Sequence, residues 1–211
     1  MIVQAQVGPI GTASAGDGQM LNARQGKLAD LIVSEFQGRL YEATYRGQVF
    51  TAANQAGTAT TVGLATTYTG ISLSNPVGNT KNLSILGAGW AFPVAPVACV
   101  VVGLMVGYNG ATNVTHSTPI TPKCNLVGPG AGAPTGLADA ASTLPTAPWI
   151  ERILGKVDSG AVSVDTQGAV GNVQIEGGIV LQPGAYIAIY TSTVANTAGF
   201  FGSFQWAEMP I

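Results

Sequence analysis

Side chains able to do acid–base, nucleophilic or metal chemistry are few in this 211-residue chain. His116 is the only histidine, which rules out a multi-histidine metal centre and leaves a catalytic triad one candidate for its base. It lies in Asn113-Val114-Thr115-His116-Ser117-Thr118, a polar stretch that reads as a loop carrying an exposed, structural imidazole. Cys124 follows eight residues later, and an imidazole beside a thiol can make a nucleophile. Both residues read as loop with no acid nearby, so the pair predicts no catalysis. Between Glu42 and Asp139 the chain has no acidic residue, and its only bases there are Arg46, Lys81 and Lys123. General acid–base pairs, glycosidase carboxylates and carboxylate-held metals have no donors in that stretch. No phosphate-binding G-x-x-x-x-G-K-[ST] run exists, and the glycines from Gly128 to Gly136 lack the flanking strand and helix that would aim amides at a phosphate. Catalytic, cofactor-binding and metal-binding residues are therefore all expected to be absent.

Composition narrows the class of partner. Charged residues make up 9% of the chain against a globular norm of about 25%, while 46% is hydrophobic and Gly totals 29. Eight Lys and Arg with a net charge of -2 cannot displace many counterions from nucleic acid, nor form a polybasic membrane segment. Neither nucleic acid nor membrane is an expected partner. Eight of the eighteen charges fall between Asp17 and Arg46, which makes the N-terminal quarter the polar part of a neutral protein. Arg24, Lys27, Asp30, Glu35 and Arg39 in this segment are the candidate contact residues. Cys99, in the apolar run Val97 to Val102, reads as a small hydrophobe, and two cysteines make no disulfide framework. The start MIVQAQVGPIG has neither a basic region nor a long apolar stretch, so no secretory signal is expected, and the glycosylation patterns at Asn82 and Asn113 read as coincidence.

These groups must be positioned by strands. From Gly38 onward, short runs rich in Val, Ile, Thr, Tyr and Phe alternate with Gly, Pro and Asn, the pattern of antiparallel sheets. Strands are expected over Arg39 to Phe50, Thr58 to Ala65, Thr69 to Ser74, Asn82 to Val94, Val97 to Asn109, Pro148 to Val157, Ala161 to Val164, Val170 to Leu181, Gly184 to Thr193 and Phe200 to Ala207. Leu83 to Gly107 is uncharged and long enough to span a bilayer, but Pro93 and Pro96 would break a helix there, so two buried strands fit better. Asn22 to Phe36 reads either as a helix, with Leu28, Leu31, Ile32 and Phe36 on one face, or as a loop followed by a strand from Asp30. Turns are expected at Ser74 to Asn79 and at Leu181-Gln182-Pro183-Gly184. Asn125 to Pro148, with GPGAGAPTG, reads as one long irregular loop. The aromatics lie mostly in these strands, where they fill a core or, on an open face, make a sugar platform. The fold expected is all-β: a jelly-roll-like antiparallel sandwich over 39–211, an N-terminal arm over 1–38 and at most one short helix.

The stretch GRLYEATYRGQVFTAANQAG, followed by LATTYTGISLSNPVGNTKNLSILGAGWAF, resembles structural proteins of tailed-bacteriophage virions, with YEATYRG and LSNPVGNTKNL its most distinctive parts. The likeness covers about Gly26 to Pro122. It implies a head decoration or cement protein, a β-sandwich homotrimer assembled in the host cytoplasm whose partner is the major capsid protein lattice. Another virion station, in tail, fibre or capsid, is the first alternative. A carbohydrate-binding module using Trp or Tyr on an open sheet face is the second.

Overall fold

A computed structural model describes residues 39–94, 96, 98–158, 170–195 and 199–211, together with the strand pair β1 (Ala5–Gln6) and β2 (Ala23–Arg24). The chain divides into two compact units, Met1–Tyr41 and Glu42–Ile211. In the first unit β1 and β2 pair in parallel, with Ala5 opposite Ala23 and Gln6 opposite Arg24. Strand pairing at Ala23–Arg24 excludes a helix beginning at Asn22; the rest of both readings for that segment lies outside the described residues.

The second unit contains β3 (Val49–Ala53), β4 (Thr67–Ser74), β5 (Lys81–Ala91), β6 (Val100–Tyr108), β7 (Thr115–Ile120), β8 (Lys123–Cys124), β9 (Leu137–Thr143), β10 (Trp149–Val157), β11 (Val170–Leu181), β12 (Ala185–Thr191) and β13 (Phe201–Pro210). They form two antiparallel sheets, a sandwich-like arrangement. Sheet I runs β10-β6-β12-β4-β9-β7 and sheet II runs β11-β5-β13-β3-β8. Among the described residues of this unit, no two strands consecutive in the chain are hydrogen-bonded to each other. Instead β4 pairs with β12, β5 with β11 and β6 with β10, a nested set in which the outer partners enclose the inner ones. Side chains alternating inward from both sheets, among them Leu73, Ile85, Leu104, Ile187, Phe204 and Trp206, form the main core. A smaller cluster of Tyr68, Met105, Val114, Leu144, Tyr186 and Ala188 lies on the opposite face of sheet I.

The uncharged stretch from Leu83 to Gly107 forms β5 and β6, in opposite sheets, and no helix among the described residues is long and apolar enough to cross a membrane. Both expected turns are present. Gly78 (φ 81°) lies in the first, and in the second Gly184 (φ 89°) follows Pro183 while the Ala185 amide donates to the Gln182 carbonyl at 2.9 Å.

Three expectations are corrected. Arg39 to Phe50 is not one strand: α1 (Tyr41–Tyr45) precedes β3. The helix ends at Gly47 (φ 66°), whose amide donates to Thr44 while the Gln48 amide donates to Ala43, a Schellman stop that β-forming side chains concealed. Thr58 to Ala65 is not a ladder strand but a crossing between sheets, joined by single bridges from Thr58 to Phe200 and from Val62 to Thr191. Thr60 and Thr61 use their hydroxyls there to bond Thr191, Ala195 and Thr69. The long loop expected over Asn125 to Pro148 contains β9, an interior strand of sheet I that its Ala, Ser and Asp content hid. The strand expected over Ala161 to Val164 lies outside the described residues.

Candidate binding faces and the polar nodes behind them

Two buried carboxylates come closest to catalytic groups, and the fold uses both. Glu208, on β13, is 2% exposed. Its Oε1 accepts from the amides of Thr135 (2.7 Å) and Gly136 (2.9 Å) and from the Trp206 indole (3.3 Å), and its Oε2 from the Thr135 hydroxyl (2.8 Å) and Lys81 (3.1 Å). Burial alone would push this carboxyl up; the bonds from Gly136, Thr135 and Lys81 outweigh it and hold the group below the usual carboxylate range. Asn79 extends the node by donating to Thr135 Oγ1 (3.0 Å) and to Asn75 Oδ1 (2.6 Å), while Asn75 donates to the carbonyls of Lys81 and Leu181. Asn75, Asn79 and Lys81 of LSNPVGNTKNL thus clamp the β4–β5 turn to β11, to the loop before β9 and to β13.

The second node corrects the reading of His116. This residue lies in β7, the edge strand of sheet I, and its Nδ1 bonds Asp139 Oδ2 on β9. Pro119 is tolerated in β7 because an edge strand has one unpaired side. Asp139 is buried, its Oδ1 has no hydrogen-bond partner among the described residues, and burial raises its carboxyl even though the bond and charge of His116 pull the other way. Asp139 was the acid missed from sequence, because it sits in a stretch with no β-strand signature. Among the described residues no serine or cysteine is hydrogen-bonded to His116, and Cys124 lies on β8 in the other sheet. The Cys–His pair is not assembled.

Of the candidate contact residues, Arg24 lies in β2, Arg39 is in an exposed turn, and Lys27, Asp30 and Glu35 lie outside the described residues. Cys99 and Cys124 are both free. Cys99 is exposed rather than packed, with Sγ 3.6 Å from Asp158 Oδ1, because it precedes β6 instead of lying within it. No group of three or more His, Cys, Asp or Glu placed to hold a metal occurs among the described residues.

Half of the described aromatics are core: Phe50, Tyr68, Phe92, Tyr186, Phe200, Phe204 and Trp206 are buried. Tyr108 and Trp149 are instead about half exposed and flank an open groove of about 340 Å³ floored by Val106, Ile179 and Leu181. The Trp149 indole donates to Glu151 at 3.2 Å.

A second surface is the outer face of sheet II. Strand register aligns Thr51, Gln205, Gly87 and Gln174 in one cross-strand row and Ala53, Ser203, Gly89 and Asn172 in the next. Both β5 positions are glycines, so a furrow runs between the side chains of β13 and those of β11. Two adjoining depressions of about 200 and 320 Å³ share Gly89, Asn172 and Ser203, and among the described residues no charged one lines either.

No protein-family model, no curated protein and no solved structure matches this chain.

Proposed function

We propose that this chain is a non-enzymatic structural protein of a tailed-bacteriophage virion, stationed on the head exterior as a decoration or cement protein that bridges capsomers as a homotrimer. The sequence likeness in YEATYRG and LSNPVGNTKNL supplies the virion assignment. The nested pairing of β4, β5 and β6 with β12, β11 and β10 supports a jelly-roll reading of the sandwich, since rolling a two-stranded ribbon around a barrel generates such pairs.

The observation that carries the contact role is the outer face of the edge strand β10. Ile150 and Ile153, 39% and 55% exposed, stand opposite Met105 and Gly103, whose side of sheet I faces away from the main core. Apolar side chains beside an open sheet edge favour burial against another subunit. Many such contacts, each of roughly 1,000 Å² or more, would add up over a lattice.

Cryo-electron microscopy of particles carrying this chain tests the station. Density at threefold or quasi-threefold positions on the outer head supports it; density in the tail, or none on the particle, overturns it. The arm, Met1 to about Arg39, is the proposed lattice contact, so deleting it abolishes capsid binding and leaves a folded trimer. Unchanged binding overturns that assignment.

A further inference from the structure

We propose that the furrow on the outer face of sheet II is a binding site for a neutral oligosaccharide, held by side-chain amides rather than by an aromatic platform. The first support is its chemistry. Gln205 and Ser203 on one bank and Gln174 and Asn172 on the other present both donors and acceptors, as sugar hydroxyls do. With no charged side chain among the described residues of its lining, the furrow offers nothing there to pair with a polyanion or a cationic peptide. An added peptide strand is also excluded, because β13 and β5 are interior strands whose backbone groups are committed to the ladders.

The second support is an unpaired donor. Asn54, just after β3, is 6% exposed and lines the furrow; its Oδ1 accepts from the Gly202 amide at 3.1 Å, while its Nδ2 has no partner among the described residues. A buried amide donor left unmade is unfavourable, so a buried orphan in a native fold calls for an acceptor. Nδ2 is itself closed to solvent, so a sugar hydroxyl or ring oxygen reaches it only when the Asn54 side chain turns into the furrow.

The third is shape. Gly87 and Gly89 keep the floor open: a methyl on Gly89 would come within 2.8 Å of Ser203 Oγ, and one on Gly87 within 3.3 Å of the Val173 carbonyl. Phe201, opposite Ala91 on the same face, closes one end with a partly buried ring whose exposed part a pyranose can stack against. This site does not depend on the virion station, and its failure would leave that proposal standing.

The test is isothermal titration of the full chain with cello-, laminari-, manno-, malto- and chitohexaose. At least one is expected to bind with Kd below about 1 mM. The exposed double variant Asn172→Ala, Gln174→Ala is expected to weaken it about tenfold or more with Tm unchanged, and Gly87→Val, which fills the furrow with a strand-favouring side chain, to abolish it. Three outcomes overturn the proposal: no binding by any of the five, binding unaffected by these variants, or binding lost instead in Trp149→Ala, which would move the site to the other groove.

Discussion

Glu208 and Asp139 are both buried carboxylates, yet their environments push them in opposite directions, and this sets the pH response of the fold. Glu208 is held below its ordinary value of 4.5, so it contributes stability that is full above that value and is lost as pH falls through its lower folded value. Asp139 is raised above 3.8, so its contribution is greatest below 3.8 and disappears as pH rises through the folded value. Urea titrations at stepped pH should therefore show Glu208→Gln flattening the acid loss of stability and Asp139→Asn steepening it. At neutral pH, Glu208→Gln is expected to destabilise by about 2–3 kcal/mol, because its amide end would face Lys81 and the hydroxyl of Thr135. Asp139→Asn should be within about 1 kcal/mol of wild type, since an amide oxygen can still accept from His116 and no buried charge remains. At Gly107 a methyl would overlap the Tyr186 hydroxyl, which donates to the Thr146 carbonyl at 2.6 Å. Gly107→Ala should destabilise by about 1–3 kcal/mol, and by less in a Tyr186→Phe background, a coupling that a double-mutant cycle measures.

Among the elements, turns were legible where one residue fixes the backbone and strands were not where packing alone selects them. Pro183-Gly184 could be placed from sequence because proline presets one dihedral and glycine supplies the positive one. Gly184→Ala is expected to destabilise by about 1–2 kcal/mol, read as a drop in Tm, because the added carbon meets the Asn109 carbonyl as well as an unfavourable φ. By contrast β9 has the composition of a loop, and it is a strand because β4 and β7 pair with it on either side. In α1 the reverse occurred: Tyr and Thr favoured a strand, and the positive φ of Gly47 ended a single helical turn instead. The Asn and Lys of LSNPVGNTKNL looked distinctive without an evident task; only the contacts of Asn75, Asn79 and Lys81 with residues far along the chain supplied one.

At the scale of the molecule, the absence among the described residues of any hydrogen-bonded pair between consecutive strands in sheets I and II means that every ladder of the sandwich closes a long loop. Folding should be correspondingly slow, with refolding after urea dilution on the order of seconds or longer rather than milliseconds, as stopped-flow fluorescence of Trp206 and its neighbours would report. Among the described residues the main core runs from Phe50 to Trp206, so a chain beginning at Arg39 should still unfold in one cooperative transition. Multiple transitions in calorimetry would contradict this.

The sequence by itself determined the all-β class, most strand positions, both turns and the neutrality of the protein, because alternation, proline and glycine act within a few residues of where they are read. Only the tertiary structure decided which strands share a sheet, that β9 is a strand, and that His116 meets Asp139. It also decided that two glycines of β5 and the amides of β11 and β13 line one furrow. Those facts depend on register between segments separated by up to more than a hundred residues, and register is set by the packing of the assembled core rather than by any local propensity.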